Sequence, residues 1–322
     1  MDDGKYYELQ AYGSMTQTKI DWLWYPYIPY GSVTIVQGDP GEGKSTMMLR
    51  LVALLTSGRK MPDGSGEGKA RNVVYQAAED GVSNVILPRL LDAGADCNKV
   101  MRILPKDDWL SLDDSRFERA IRDIDAALLV IDPLQAFLTG DTDMQRANSV
   151  RSVMNGLSKI AEETNCAVVL IGHLNKNSGS RPIYRGLGSI DFAAAARSIL
   201  VVERDAEDPQ VRIIRQIKSS FAPAGKGYMF ELSEENGFQW LGEIGECGGV
   251  EAGTYVPKKS KKDLAKQYIS ELLSDGDRAS TEILNYIQRK GIGIRTAKQA
   301  KAEMNIDSYK DGNIWLWHLN EE

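Results

Sequence analysis

The sequence predicts an α/β protein built on a mainly parallel sheet, with a small separate module behind it. Three observations carry this expectation. Over the first 250 residues, short β-rich runs alternate with stretches of helical period, as parallel strands with crossover helices require. The run Ala127–Ile131 is apolar throughout, the pattern of a strand buried on both faces. Glu246–Ser260 is Gly-rich and then turns basic, a linker composition, and the residues after it carry their own periodicity.

Taken in order, strands are expected over Ser32–Gln37, Asn72–Gln76, Val100–Leu104, Ala127–Ile131, Ala167–Ile171 and Ser198–Glu203. Helices are expected over Lys44–Thr56, Val82–Ala93, Asn148–Glu163 and Ser189–Arg197. Ser57–Ala70 holds five glycines and prolines and reads as a loop. Beyond Glu203 the strand-like segments Val211–Ile217, Tyr228–Leu232 and Phe238–Leu241 predict an antiparallel extension of the sheet. The domain boundaries that follow are an N-terminal segment 1–31 packing on the core, a core 32–245, a linker 246–262 and a module 263–322.

Composition narrows the options. At about 150 residues per domain, 322 residues suggest two domains. Hydrophobic residues at 42% and charged residues at 26% describe a folded soluble chain. The net charge of −6 excludes a globally basic nucleic-acid coat, so any contact with DNA needs a local basic surface. No apolar run approaches the about 18–20 residues of a membrane span, and the acidic, tyrosine-rich N-terminus is unlike a signal peptide. Cys97, Cys166 and Cys247 are far apart and odd in number, with only His173 and His318 beside them, so neither a disulfide framework nor a zinc site is expected. The expected compartment is the cytoplasm.

Gly38-Asp39-Pro40-Gly41-Glu42-Gly43-Lys44-Ser45 matches the Walker A pattern G-x-x-x-x-G-K-[ST] in full, followed by Thr46. Glycines let backbone N–H groups close around a phosphate, Lys44 reaches the β- and γ-phosphates, and the Ser45 hydroxyl suits Mg²⁺. ATP and Mg are therefore the expected cofactors. Asp132 ends the apolar strand, the Walker B arrangement for a second metal contact. Pro133 follows, where many ATPases place their water-activating glutamate, and the candidate acceptor is instead Glu79. If the Asn72–Gln76 strand lies beside the phosphate-loop strand, Glu79 projects into the same crevice. Asp80 is expected to cap the helix that starts at Val82. The aromatic group Trp22, Trp24, Tyr25, Tyr27 and Tyr30 either packs on the sheet edge or stacks on adenine.

These residues resemble the RecA-like P-loop ATPases, in particular the plasmid and phage RepA-type hexameric helicases and their AAA-like relatives, over roughly Ile20 to Leu241. The tracts Ile28–Val33 and Tyr75–Asp80 carry the likeness, and the resemblance implies that Glu79 is the catalytic glutamate. It implies a γ-phosphate contact at His173, with an ordinary strand-end histidine as the alternative. Tyr184–Asp191 and Ala193–Arg197 are similar to the helix after the second DNA-binding loop of such helicases. Arg197 then matches the arginine-finger region of RepA-type enzymes. Lys218 matches the first basic residue of a Lys-x-Arg pattern whose second position is Ser220 here, which leaves the finger open between Arg197, Arg215 and Lys218. Lys176, Arg181 and Arg185 lie in a basic loop where such motors hold single-stranded DNA. Leu138–Asn148 is a second loop candidate, acidic apart from Arg146.

In the last segment, Asp263–Leu273, Ser280–Lys290 and Arg295–Met304 have helical spacing, the third with Lys298 and Lys301. Ser308–Trp317 alternates around an Asp-Gly step, a hairpin signal. Three helices and a hairpin make a winged helix-turn-helix. From Lys258 to Glu322 twelve Lys and Arg stand against ten Asp and Glu, a positive balance that suits nucleic acid, although winged helices also dock proteins. The expected function is an ATP-hydrolysing motor on DNA, a replicative helicase of a mobile element assembled as a homo-oligomer, with six subunits implied by the family. The alternatives are a DNA-clamping loader or recombination mediator without unwinding, and an ATP-switched DNA-binding regulator. Replication proteins docking through the winged helix are a further expected partner class.

Overall fold

The structure, a computed structural model, describes residues 9–104, 110–138, 147–173, 190–206, 208–244, 261–312 and 314–320. The chain divides into two compact units, Met1–Glu203 with Ile213–Tyr228, and Arg204–Arg212 with Met229–Glu322.

In the first unit, a short antiparallel pair comes first, β1 (Trp22–Trp24) and β2 (Ile28–Pro29). The phosphate-loop strand β3 (Val33–Gly38) leads into α1 (Lys44–Thr56). Then come β4 (Asn72–Ala77), a π-helical turn over Val82–Ile86, α2 (Leu87–Asp92) and β5 (Val100–Met101). After these follow α3 (Ser115–Ile124), β6 (Ala126–Asp132), α4 (Ala147–Thr164) and β7 (Ala167–His173). The unit closes with α5 (Ile190–Ala195), β8 (Ser198–Arg204) and β9 (Val211–Ser219). These strands stand in the order β9-β8-β3-β7-β6-β4-β5. From β8 to β5 every neighbouring pair is parallel. β8 and β9 are joined by six residues, Asp205–Gln210, too few for a crossover, so the pair is antiparallel.

The parallel strands are buried because helices cover them. One core cluster joins Val33, Ile35, Leu129, Ile131, Val168 and Leu170 to Phe117 and Ile121 of α3 and to Val150, Met154 and Leu157 of α4. Trp24 and Tyr27 are buried, with ring centroids 4.4 Å apart, and the Tyr27 hydroxyl donates to Lys226 O at 2.6 Å. These two rings follow the packing reading, since a buried face offers nothing to adenine.

The structure corrects the sequence reading in four places. The strand expected over Val100–Leu104 is only two residues long. α3 fills a stretch that had no assigned element, with Asp114 capping it by accepting from Arg116 N at 2.8 Å. Asp80 caps nothing: the residue before the π-turn is Gly81, and Asp80 instead pairs with Arg89 at 3.2 Å. Finally, β4 is separated from β3 by β7 and β6.

The second unit holds the neighbouring strands β10 (Tyr228–Ser233) and β11 (Gly237–Glu243), where Phe230, Phe238 and Trp240 cluster. It also holds α6 (Lys261–Leu273), β12 (Arg278–Ala279), α7 (Ser280–Arg289), α8 (Ile294–Ala302), β13 (Ile306–Asp311) and β14 (Ile314–Leu319). The last three strands form an antiparallel sheet in the order β12-β14-β13. Its hairpin pairs Asp311 with Ile314, and Gly312 takes the left-handed φ of +55° that the turn needs. Ala265, Ile269, Ile283, Ile287, Ala297 and Trp317 make the core of these helices and strands. No helix among the described residues is long and apolar enough to cross a membrane.

Candidate active site at the strand ends

Parallel pairing aligns the C-terminal ends of four adjacent strands. Gly38 of β3 stands level with His173 of β7, and Asp132 of β6 stands level with Ala77 of β4. The candidate residues gather along this edge, the place where open α/β sheets bind ligands.

The phosphate loop runs from Gly38 through Asp39, Pro40, Gly41, Glu42 and Gly43 into the first turn of α1, which carries Lys44, Ser45 and Thr46. Gly41 and Gly43 have φ of +80° and +83°, values that a side chain disfavours. Gly43 is thus the turn into the helix, and the free N–H groups of the first turn of α1 suit an anion. The Lys44 side chain folds back over the loop and donates to Gly38 O at 2.9 Å and Asp39 O at 2.8 Å. It is buried, which pulls its pKa below the usual lysine value, against the opposing pull of Asp132 and Asp39.

Asp132 is 8% exposed and accepts a hydrogen bond from the Tyr75 hydroxyl at 2.7 Å, with the Ser45 hydroxyl as a further favourable group. Burial pushes its carboxyl pKa up, and the two hydroxyl donors oppose that shift. Ser45 and Asp132 offer hard oxygen donors side by side, a set that suits Mg²⁺. Among the described residues no group of three or more His, Cys, Asp or Glu is placed to cage a metal.

His173 links the remaining two groups. Its Nδ1 lies 3.4 Å from Lys44 Nζ and its Nε2 lies 3.8 Å from Glu79 Oε2. Glu79 is mostly exposed, two residues past the end of β4. The two intervening strands put β4 about 14 Å from β3, yet Glu79 still reaches the edge through its contact with His173 on β7.

The three finger candidates separate by position. Arg197 precedes β8, whose Ser198 pairs with Thr34, so it lies about 16 Å along the strand from the level of Gly38. Its guanidinium rests 5.8 Å from the Phe221 ring centroid. Lys218 is at the same end and donates to Ala193 O at 2.7 Å and Ala194 O at 3.0 Å, the last carbonyls of α5. Burial, and then Arg197, lower its pKa. Arg215 sits toward the phosphate-loop end, its Nε 2.6 Å from Glu203 Oε1. Within one chain, therefore, Arg197 and Lys218 do not join the Lys44–Glu79 group.

Lys176, Arg181 and Arg185, with Tyr184 and the start of the helix expected at Ser189, lie outside the described residues, as do Asp141, Asp143 and Arg146. On α8, Lys298 is exposed, whereas Lys301 lies 5.2 Å from the Trp317 ring centroid and donates to Ser308. Lys301 is thus tied into its own module, while the exposed basic residues of α8 are Arg295 and Lys298. Tyr75 is a residue that the sequence reading passed over. Its one signal was a hydroxyl in an otherwise apolar stretch, Val73-Val74-Tyr75.

A model of an AAA-domain family, AAA_25, matches residues 9–179. The DNA repair protein RadA of Mycobacterium tuberculosis is 28% identical over 214 residues, 66% of this chain and 39% of that protein. RadA of Helicobacter pylori is 25% identical over 225 residues, 69% of this chain and 44% of its own length. The chain thus spans about two fifths of the length of these curated relatives. Among solved structures, the RadB recombinase aligns with a TM-score of 0.46 and 19% identity, over 66% of this chain and 91% of that one. The ATPase domain of G40P aligns at 0.48 and 14% identity, over 63% and 82%. Because the family match covers more than half of the chain and includes both the phosphate loop and the Asp132 strand, the chain belongs to the AAA_25 family of AAA domains, a RecA-like class of P-loop ATPases.

Proposed function

We propose that this chain is a Mg²⁺-dependent ATP-hydrolysing motor that acts on DNA, a helicase-type ATPase of a mobile element working as a homo-oligomeric ring. The observation that carries the reading is the convergence of Lys44, Ser45, Asp132, His173 and Glu79 on one sheet edge. Lys44 and the N–H groups of the loop bind the β- and γ-phosphates. Ser45 and Asp132 would hold Mg²⁺, which supplies positive charge against the phosphate oxygens. Glu79 accepts the proton of the attacking water, and His173 orients Glu79 relative to Lys44. With Arg197 and Lys218 at the far end of β8, a stabilising cation from either reaches phosphate only from a neighbouring copy, worth about 10³–10⁵ in rate in other P-loop enzymes.

On the DNA side, Lys176, Arg181 and Arg185 are assigned from the sequence to single-stranded DNA. The three helices and small sheet of the C-terminal unit are read as a winged helix-turn-helix, with Lys298 of α8 facing nucleic acid and Lys301 serving the fold. The likeness to the DNA repair protein RadA supports a second reading, a recombination mediator that uses ATP on DNA without unwinding it.

The test is a pair of variants assayed for nucleotide binding and phosphate release. Lys44→Ala is expected to lose at least about a hundredfold in turnover. Glu79→Gln is expected to bind ATP as the wild type does while losing about 10²–10⁴-fold in hydrolysis, because an amide is a poor proton acceptor. Wild-type turnover in Lys44→Ala removes the phosphate-loop assignment, and wild-type turnover in Glu79→Gln means another group receives the proton.

A further inference from the structure

Tyr75 is 3% exposed and stands on β4 level with Val130, two residues before Asp132 on the neighbouring strand. Its ring forms one wall of an apolar cavity of about 120 Å³, with Val82, Ile86, Leu90 and Met101 on the others. Packing alone asks only for the ring, and a phenylalanine fills the same wall. The hydroxyl has a different partner, the Oδ2 atom of Asp132 at 2.7 Å. A carboxylate rotates over a broad range about its last torsion, so a buried aspartate needs donors to fix it in one orientation. The Tyr75 hydroxyl, carried on a ring locked between packed elements, is such a donor, and the Ser45 hydroxyl adds a further favourable interaction.

The geometry points to Tyr75 as a positioning residue for the metal site: its hydroxyl holds the Asp132 carboxylate in the orientation that meets Ser45. This rests on the reading of Ser45 and Asp132 as the Mg²⁺-holding pair. Hydrogen-bond partners behind a metal ligand typically set metal affinity by a factor of about 10–100 when removed. The hydroxyl of Tyr75 is such a partner, and the strand pairing of β4 with β6 is what delivers it.

The test is Mg²⁺ titration of fluorescent ADP binding to the full chain, with no turnover involved. Wild type, Tyr75→Phe, Asp132→Asn and the double variant are compared, with thermal melting reporting the fold of each. Tyr75→Phe is expected to raise the Mg²⁺ concentration for half-maximal binding by about tenfold or more, to leave ADP affinity in EDTA unchanged, and to add nothing in the Asp132→Asn background. An unmoved Mg²⁺ midpoint in Tyr75→Phe overturns the inference while Asp132→Asn still shifts it. An equal loss with and without Mg²⁺, or a further shift in the double variant, also overturns it by assigning Tyr75 to packing. If Asp132→Asn itself leaves the midpoint in place, the metal-site reading falls and takes this inference with it.

Discussion

A Cβ added at Gly38 would stand 2.3 Å from the carbonyl oxygen of Val202, so no side chain fits between β3 and β8 there. The same glycine offers its carbonyl to Lys44 Nζ. Gly38→Ala therefore has to push β8 away or tilt the loop. It is expected to destabilise the protein by about 1–3 kcal/mol and to weaken nucleotide binding together with stability. Chemical denaturation checks the first effect, and a midpoint equal to wild type contradicts the close approach. At this scale the site was legible wherever a residue type has one dominant use. Glycines at fixed spacing, a lysine after them and an acid ending an apolar strand each name their chemistry. Tyr75 and the binding of Lys301 to Trp317 were not legible, because both depend on which strand lies next to which.

Elements were legible in proportion to the apolar surface they bury. The strands β3, β6 and β7 are apolar almost throughout, and α1 buries Met47, Met48, Leu51, Val52 and Leu55, so their periods stand out. By contrast, α3 was missed although Phe117, Ala120, Ile121 and Ile124 stand at helical spacing i, i+3, i+4 and i+7 and pack on the core, among six polar residues. Strand order was hidden as well: β7 and β6 insert between β3 and β4, and only long-range pairing decides that. The aromatic segment at β1 and β2 is held by a polar residue that no period reveals. Gln216 of β9 donates to Pro26 O at 2.8 Å and to Ser198 Oγ at 2.9 Å, and accepts from Gly225 N at 2.8 Å. Gln216→Leu keeps the bulk and strands these groups. It is expected to cost about 2 kcal/mol, read as a lower melting temperature, and an unchanged melting temperature contradicts that role.

At the scale of the whole molecule, the proposed function couples a phosphate-loop site at a sheet edge to work on DNA. One core cluster of the described residues gathers around Leu129 and Val168, and another around Ile269 and Ile283. Every phosphate- and metal-facing candidate belongs to the first unit. On the proposed function the two tasks are coupled, so bound DNA is expected to alter the geometry of Glu79 or of residues from a neighbouring copy. Backbone contacts by Lys and Arg further make this coupling salt-dependent. The most direct measurement is steady-state ATP turnover of the full chain with and without single-stranded DNA, repeated at rising salt. DNA is expected to raise turnover, and salt to erode the increase. Equal turnover with and without DNA at every salt concentration, from protein shown to bind ATP, would contradict this coupling.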